Sequence, residues 1–368
     1  MKRTITGSIL TGLVVLLQLQ AARAQQWLSR GPAPRSAHTA VFDPATKKMI
    51  VFGGIPDAYL TSTNFNDVFW LQNASGVGRA EGWQPVNAAG VRPAARGGHT
   101  AVYDAANGRM IVFGGGLGRT SPCVNDVWVL SNANGVAGTP LWQRLSPSGT
   151  PPAPRNLANA VYDPNTNRMT VFGGNDCFSS SYNDVWVLSN ANGLGGTPAW
   201  SQLLPSGTAP STRAASTSTY DPASNIMTTF GGAATGSILQ NDTWLLSNAN
   251  GLGGTPVWTQ LSTSTPPAPR SAQSAVYDPT SDRMVMYGGS TSAGLMSDVW
   301  VLSNANGIGG PSIWTQLSPG GFPPPAPRCF HSAVYDPAAN AMTIFGGFGD
   351  SLQIPINDSF VLTHANGE

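Results

Sequence analysis

Six near-copies of one segment fill this chain. Each copy runs from an arginine, preceded by proline in four of the six, through a Tyr-Asp type turn to a Gly-Gly doublet, then to an Asn-Asp type pair and a last apolar run. The opening arginines are 57 to 61 residues apart and lie at Arg35, Arg96, Arg155, Arg213, Arg270 and Arg328. A single copy of this length cannot bury its own apolar face, so the copies must pack on one another. A residue present in every copy is therefore more often scaffold than functional site.

Four short strand-like runs occur in each copy. Examples are Thr39–Asp43, Met110–Phe113, Val127–Leu130 and Trp142–Leu145, which are rich in β-branched and aromatic residues and end at Gly, Pro or Asn. After residue 24 no stretch has a helical period. Four strands in each of six copies predict an all-β, six-bladed β-propeller formed by residues 25–368 as one domain. The predicted blades lie near 31–87, 88–146, 147–204, 205–262, 263–318 and 319–368.

The two ends of the chain predict how the ring closes. The last copy stops at Glu368, before its fourth strand, whereas Gln26–Ser29 near the other end resembles the missing Trp-x-Gln-Leu-Ser run. Residues 25–30 are therefore expected to complete the sixth blade. That pairing would cover a strand edge that is otherwise open.

The repeated features resemble kelch repeats, within the kelch and galactose-oxidase central-domain superfamily of propellers. The resemblance covers residues 26–367 and rests on the Pro-Arg-x-x-His opening and on doublets that begin at Gly53, Gly114, Gly173, Gly231, Gly288 and Gly346. The connection Ser-Asn-Ala-Asn-Gly makes these copies longer than the roughly 50 residues usual for kelch. The resemblance implies the fold but no single activity, since kelch propellers include binding proteins, epimerases, oxidases and ligase adaptors.

The N-terminus has the pattern of a signal peptide. Lys2 and Arg3 precede an apolar run, and Ala22-Arg23-Ala24 forms a cleavage site before Gln25. We therefore expect residues 1–24 to direct export to the periplasm or the extracellular space. A charged fraction of 10% and a net charge of +1 argue against nucleic-acid binding. No later apolar run predicts membrane insertion, and we expect a monomer.

Loop lengths separate a constant face from a variable face. The arginine and the Gly-Gly doublet are 18 residues apart in every copy, but the doublet and the next Asp are 10 to 14 residues apart. The loops of variable length open on one face of the propeller, where binding residues are expected. Candidate ligand-binding residues that break the repeat lie there: Asp57, Tyr59, Arg119, Asp176, Phe348 and Asp350. A set of aromatic and charged residues suits a carbohydrate or a peptide.

Three histidines also break the symmetry. His38, His99 and His331 each follow the opening arginine by three residues, in blades that are neighbours in a closed ring. Cys329 is expected on the same strand face as His331. Three interpretations stay open: these four residues bind copper, zinc or iron; the histidines bond a ligand at the channel mouth; or, as in kelch repeats, they are structural.

The opening arginines and the cysteines have simpler interpretations. The six arginines either pair with the repeated aspartates or form a ring for an anionic ligand. Cys123 and Cys177 lie in equivalent loops of adjacent blades and are predicted to form a disulfide in an exported protein. Cys329 then remains a thiol.

The sequence predicts an exported propeller that binds a carbohydrate or a protein ligand on its variable face. Whether it is an enzyme stays open. The alternatives are a carbohydrate-acting epimerase, lyase or hydrolase, a metal-dependent oxidase with a site at the channel mouth, or a structural surface module.

Overall fold

All regular elements of the structure, a computed structural model, are β-strands. It describes residues 31–57, 63–76, 82–118, 122–321, 323–349 and 354–368. None of these residues belongs to a helix with the length and apolar character that a bilayer span requires. The predicted signal peptide and the predicted closing strand, residues 25–30, lie outside the described residues.

The described strands form six main sheets, each within one repeat, and one small additional sheet. The first three sheets are β1 to β4 (Thr39–Asp43, Lys48–Gly54, Phe65–Gln72, Gly82–Val86), β5 to β8 (Thr100–Asp104, Arg109–Gly116, Cys123–Ser131, Leu141–Leu145) and β9 to β12 (Asn159–Asp163, Arg168–Phe172, Val185–Ser189, Ala199–Leu203). In each of them consecutive strands pair in chain order, as in the up-and-down blades of a propeller.

The other three sheets carry small additions. In chain order the strands are β13 to β19 (Arg213–Ala214, Thr217–Asp221, Ile226–Phe230, Ala233–Ala234, Ile238–Leu239, Thr243–Ser247, Val257–Leu261), β20 to β24 (Thr263–Ser264, Ser274–Asp278, Arg283–Thr291, Gly294–Ser303, Ser312–Leu317) and β25 to β27 (Ser332–Asp336, Ala341–Phe345, Ser359–Thr363). The short strands β13, β16 and β17 form a separate sheet, and β20 pairs with β24 in parallel. The sixth blade has three strands among the described residues.

The innermost strands close a ring around a channel. Each packs beside the innermost strand of the next blade, and β25 packs beside β1. At one mouth of the channel six backbone hydrogen bonds run from blade to blade in a closed circle, formed by the N–H groups of Ala37, Gly98, Leu157, Ala215, Ala272 and Phe330, each donating to the carbonyl of the residue before it in this cycle. We call these six residues the channel annulus. All have φ between 50° and 64°, so their backbones turn sharply out of the strand path.

Blades pack on one another through an aromatic contact that repeats around the ring. The aromatic residue before a Gly-Gly doublet contacts the fourth-strand Trp of the next blade, with ring centroids 4.5 to 5.1 Å apart, in the pairs Phe345–Trp83, Phe52–Trp142, Phe113–Trp200, Phe172–Trp258 and Phe230–Trp314. Tyr287 holds the sixth such position and has no Trp partner among the described residues. It lines a cavity of ≈ 210 Å³ beside β27.

On the constant face, side-chain amides form hydrogen bonds between neighbouring blades. The second Asn of the repeated Asn-Ala-Asn-Gly turn donates to the first-turn aspartate of the preceding blade, in the pairs Asn192–Asp104, Asn250–Asp163, Asn306–Asp221 and Asn366–Asp278, at 2.6 to 2.9 Å. This contact explains why both turns repeat with little change: each supplies half of an interblade bond.

Candidate ligand-binding face

The six opening arginines form framework contacts. Each guanidinium is buried and forms a two-pronged ion pair with the aspartate of the repeated Asn-Asp type pair in its own blade, in the pairs Arg35–Asp67, Arg96–Asp126, Arg155–Asp184, Arg213–Asp242, Arg270–Asp298 and Arg328–Asp358. The guanidinium also donates to two backbone carbonyls, that of the first doublet glycine and that of the residue two positions before the arginine. The structure confirms the pairing interpretation, since the charge of each arginine is already paired with an aspartate.

The three histidines join neighbouring blades at the channel mouth. The Nε2 atoms of His38, His99 and His331 are hydrogen-bonded to the hydroxyls of Ser332, Thr39 and Ser274 in the preceding blade, at 2.6 to 2.8 Å. Each imidazole ring also makes an edge-on contact with the aromatic residue that stands before the Gly-Gly doublet of the preceding blade. In the fifth blade Gln273 takes the equivalent place and donates to the Phe230 carbonyl. The repeated geometry favours the structural interpretation.

Burial keeps these imidazoles neutral. Desolvation is the main cause that lowers the pKa of His99 and of His331 to about 3, and it lowers that of His38 well below its usual value, with the nearby arginines adding to the effect. Within the described ranges no three His, Cys, Asp or Glu side chains are grouped closely enough to hold a metal ion. The metal hypothesis for His38, His99, His331 and Cys329 therefore gains no support from the geometry.

Cys329 does not share a face with His331 as strand alternation suggested. The strand begins only at Ser332, and Phe330 between the two residues has a left-handed backbone that breaks the alternation. The Cys329 side chain packs with Ala272 and Phe348, and burial raises the pKa of its thiol to about 12. A thiol so rarely ionised is a poor nucleophile.

A disulfide joins two loops of the variable face. Cys123 and Cys177 are bonded, with their Cα atoms 5.5 Å apart, and link the second blade to the third. The neighbouring Asp176 accepts hydrogen bonds from the backbone N–H groups of Phe178, Ser179 and Ser180, which hold the pKa of its carboxyl below the usual range. Asp176 therefore shapes its own loop.

The remaining predicted site residues are only partly placed. Tyr59, Arg119 and Asp350 lie outside the described residues. Asp57 is the last residue of the described segment 31–57, two residues after Ile55. Phe348 is buried at the base of its loop.

A cleft of ≈ 320 Å³ opens on the variable face, above the first three blades and the sixth. We call it the variable-face cleft, and the described residues that line it are Ala37, Ile55, Asn64, Gly97, Gly98, Gly116, Gly118, Asn156, Leu157, Cys177, Phe330 and Phe348. Its floor is the backbone of the second blade, where three glycines stand side by side. None of these lining residues carries a charge.

Two amide side chains that line the cleft each have a buried oxygen without a hydrogen-bond partner among the described residues. Asn64 is 8% exposed and donates to the Gly116 carbonyl, but its Oδ1 atom has no hydrogen-bond partner among the described residues. The Oδ1 atom of Asn156 is likewise buried and unpaired. An unpaired buried acceptor is costly, so these two atoms mark a place where a donor from outside the protein is expected.

The sequence predicted a site on the face where this cleft lies but did not point to most of its residues. The histidines differ among copies at the third position after the arginine, whereas the cleft varies at the first two. At the second position the copies have Ala37, Gly98, Leu157, Ala215, Ala272 and Phe330, and the two large residues flank the cleft. That difference was available in the sequence.

Comparison with known families agrees with this architecture. The profile of the KLHDC2/KLHL20/DRC7 Kelch-repeats domain matches residues 7–189 and 137–302, which together are more than half of the chain. The chain belongs to this kelch-repeat family. Kelch domains commonly bind protein partners, so the family supports a protein-interaction propeller.

Curated relatives share the repeats and are much longer. The host cell factor homolog hcf-1 of Caenorhabditis elegans is 33% identical over 39% of this chain and 18% of its own length. The tip elongation aberrant protein 1 of Schizosaccharomyces pombe is 29% identical over 43% of this chain and 13% of its own. The leucine-zipper-like transcriptional regulator 1 homolog of Drosophila melanogaster is 29% identical over 87% of this chain and 30% of its own. The match therefore spans less than a third of each relative.

A solved structure superposes on nearly the whole chain. The structure titled "Structure of YjhT" superposes with a TM-score of 0.63 over 91% of this chain and 97% of the other, at 15% sequence identity. At this identity the likeness concerns the fold alone.

Proposed function

We propose that this kelch propeller is a protein-binding module that recognises its partner on the variable face. The observation that carries the proposal is the variable-face cleft, in which apolar side chains surround two unpaired buried amide oxygens. Apolar walls with a few oriented polar atoms are typical of a binding site. Elsewhere on this face, the repeated arginines are paired with aspartates, and the Nε2 atom of each channel-mouth histidine is bonded to the preceding blade.

The geometry supports binding over catalysis. Proton transfer at neutral pH requires a group with a pKa near 7, whereas the channel-mouth histidines have a pKa far below it and the Cys329 thiol one far above it. The repeated aspartates of this face are paired with arginine, so they have a structural role as well.

We also propose that the module acts after export, as a monomer. The Cys123–Cys177 disulfide supports an oxidising compartment, because disulfides persist outside the reducing cytosol. The predicted signal peptide of residues 1–24 supplies the route.

Blocking one face at a time tests the proposal. Thr63, beside the cleft, and Ala106, at a turn of the constant face, are both exposed and suit replacement by cysteine. Each variant, Thr63→Cys and Ala106→Cys, is coupled to a polyethylene glycol maleimide and applied to an array of acetylated, amidated hexapeptides. Because the polymer covers one face, we expect it to abolish peptide binding at residue 63 and to leave binding unchanged at residue 106. Equal binding by both conjugates, or retention of glycans instead of peptides, would contradict the proposal.

A further inference from the structure

We infer that the variable-face cleft takes an uncharged segment of polypeptide, which inserts one apolar side chain and donates backbone N–H groups to Asn64 and Asn156. This inference rests on the proposed function and names the chemistry of its ligand. It follows from the size of the cleft, the charge of its lining and its two unpaired acceptors.

The cleft is small for a whole ligand. At ≈ 320 Å³ it lies at the lower end of the roughly 300–1,000 Å³ found for ligand pockets, so it suits a side chain and the adjoining backbone. Ile55, Leu157, Phe330 and Phe348 form its apolar walls. A partner that places a large apolar side chain among them removes apolar area from water on both sides.

The described lining favours a neutral ligand group. None of the described lining residues carries a charge, and the repeated guanidiniums of the second and third blades, Arg96 and Arg155, are paired with Asp126 and Asp184. A carboxylate or ammonium group that entered the cleft would lose its water without gaining a partner, which costs far more than burying a neutral group. Among the described lining residues, a neutral side chain is therefore the better fit.

The two acceptors favour polypeptide over sugar. The unpaired Oδ1 atoms of Asn64 and Asn156 accept hydrogen bonds, and a backbone N–H is a donor that every residue except proline carries. A sugar would bring several hydroxyls that each need a partner, but among the described lining residues the polar side chains are these two amides. A short peptide satisfies both acceptors and leaves few groups unpaired.

The channel annulus offers a matched pair of substitutions. Ala37 lines the cleft, whereas Ala215 holds the equivalent place across the ring and does not. Their φ angles, 50° and 52°, match those of Leu157 and Phe330, so this backbone accepts a larger side chain. Ala37→Leu therefore narrows the cleft, and Ala215→Leu makes the same change away from it.

The experiment measures peptide binding by three variants. The hexapeptide array varies its third residue among Leu, Phe, Asp and Lys, and the selected peptides are titrated by fluorescence anisotropy against the unmodified protein and against Ala37→Leu, Ala215→Leu and Asn156→Leu. We expect selection of Leu or Phe, at least a tenfold weaker Kd for Ala37→Leu, about a fivefold weaker Kd for Asn156→Leu, and a change below twofold for Ala215→Leu. Thermal melts identify any variant that is misfolded, and Asn156→Leu keeps the test decisive if Ala37→Leu does not fold.

Two outcomes would overturn the inference, and they can be told apart from failure of the proposed function. Selection of Asp or Lys peptides that the conjugate at residue 63 still blocks would keep the variable face as the binding face and refute the uncharged ligand. Selected Leu or Phe peptides that bind Ala37→Leu and Ala215→Leu equally would place the binding outside the cleft. Binding that the conjugate at residue 63 does not block would refute the proposed function itself.

Discussion

The ring of arginine–aspartate pairs and the variable-face cleft lie on the same face and differ in how completely their polar groups are bonded. The guanidinium of Arg213, in the fourth blade, donates to Asp242 and to two backbone carbonyls. The same contacts occur in each of the other five blades. Asn64 and Asn156, which have no counterpart around the ring, each leave an acceptor unpaired. In this comparison the repeated side chains are paired within the protein, so we expect the unrepeated amides to be the groups available to a partner.

The largest expected effect concerns completion of the framework. Tyr287 lacks the Trp contact that its five counterparts make and lines a cavity beside β27, and we expect Trp27 to supply that contact. Deletion of residues 25–30 should lower the melting temperature sharply, and Trp27→Ala should cost roughly 3–5 kcal/mol in urea unfolding. Trp27→Phe is the control and should cost less. An unchanged melting temperature after the deletion would refute closure by this strand.

Removing one framework arginine should be the next most severe change. Arg213→Ala leaves Asp242 without its buried partner and should cost on the order of 3–5 kcal/mol in urea unfolding. Replacing both partners, as in Arg213→Met with Asp242→Leu, should recover part of that loss, because no buried charge is then left alone. Peptide affinity should stay near that of the wild type in the folded fraction. A stable Arg213→Ala that loses its ligand would assign the arginine to binding.

The disulfide joins the framework to the binding face, so its loss should affect both. The bond spans 54 residues of sequence, and Cys123→Ser with Cys177→Ser should cost about 2–4 kcal/mol, chiefly by freeing the unfolded chain. Cys177 also lines the cleft, so peptide binding should weaken. Mass mapping of the non-reduced exported protein should find Cys329 as the thiol. Three thiols in that protein would contradict the pairing.

Acid should lower the free energy of unfolding gradually, because the histidines take up protons on unfolding. A histidine takes up a proton near pH 6.5 when unfolded, but His99 and His331 have a pKa of about 3 when folded. As the pH falls from about 6.5 toward 4, the unfolded state alone is stabilised by protonation, and stability should fall by roughly 1 kcal/mol per histidine per pH unit. Replacing His38, His99 and His331 by Gln, the residue found at position 273, should flatten this slope. An identical slope would show that these histidines do not titrate as the structure implies.

The fold could be predicted from sequence because its determinants repeat. The arginine, the doublet and the aspartate recur at fixed spacing, and each recurrence corresponds to one contact in one blade, such as Arg96 with Asp126. The equal numbers of arginines and aspartates were consistent with ion pairs but left a ring for an anionic ligand open, and the structure decides between the two. The location of Cys329 was not predictable from alternation, because a left-handed residue, Phe330, turns the backbone just before the strand.

The candidate site was harder to predict because it is built from residues that do not repeat. Loop lengths identified the variable face, but the cleft depends on side chains that are missing at Gly97, Gly98 and Gly116 as much as on those present. An ideal Cβ at Gly97 would lie 2.6 Å from the Ile55 side chain, a proximity between two blades that sequence alone does not show. The histidines, in contrast, stood out in the sequence and are bonded across blade boundaries.

Hydrogen–deuterium exchange with a bound peptide tests the division between framework and cleft most directly. A Leu- or Phe-containing peptide from the array is added, and exchange of backbone amides is compared with that of the unbound protein. The account predicts slower exchange at residues 54–57, 115–118 and 346–349, which border the cleft, and no change at residues 103–109 and 220–226 of the constant face. Protection confined to the constant face, or spread equally over all six blades, would contradict it.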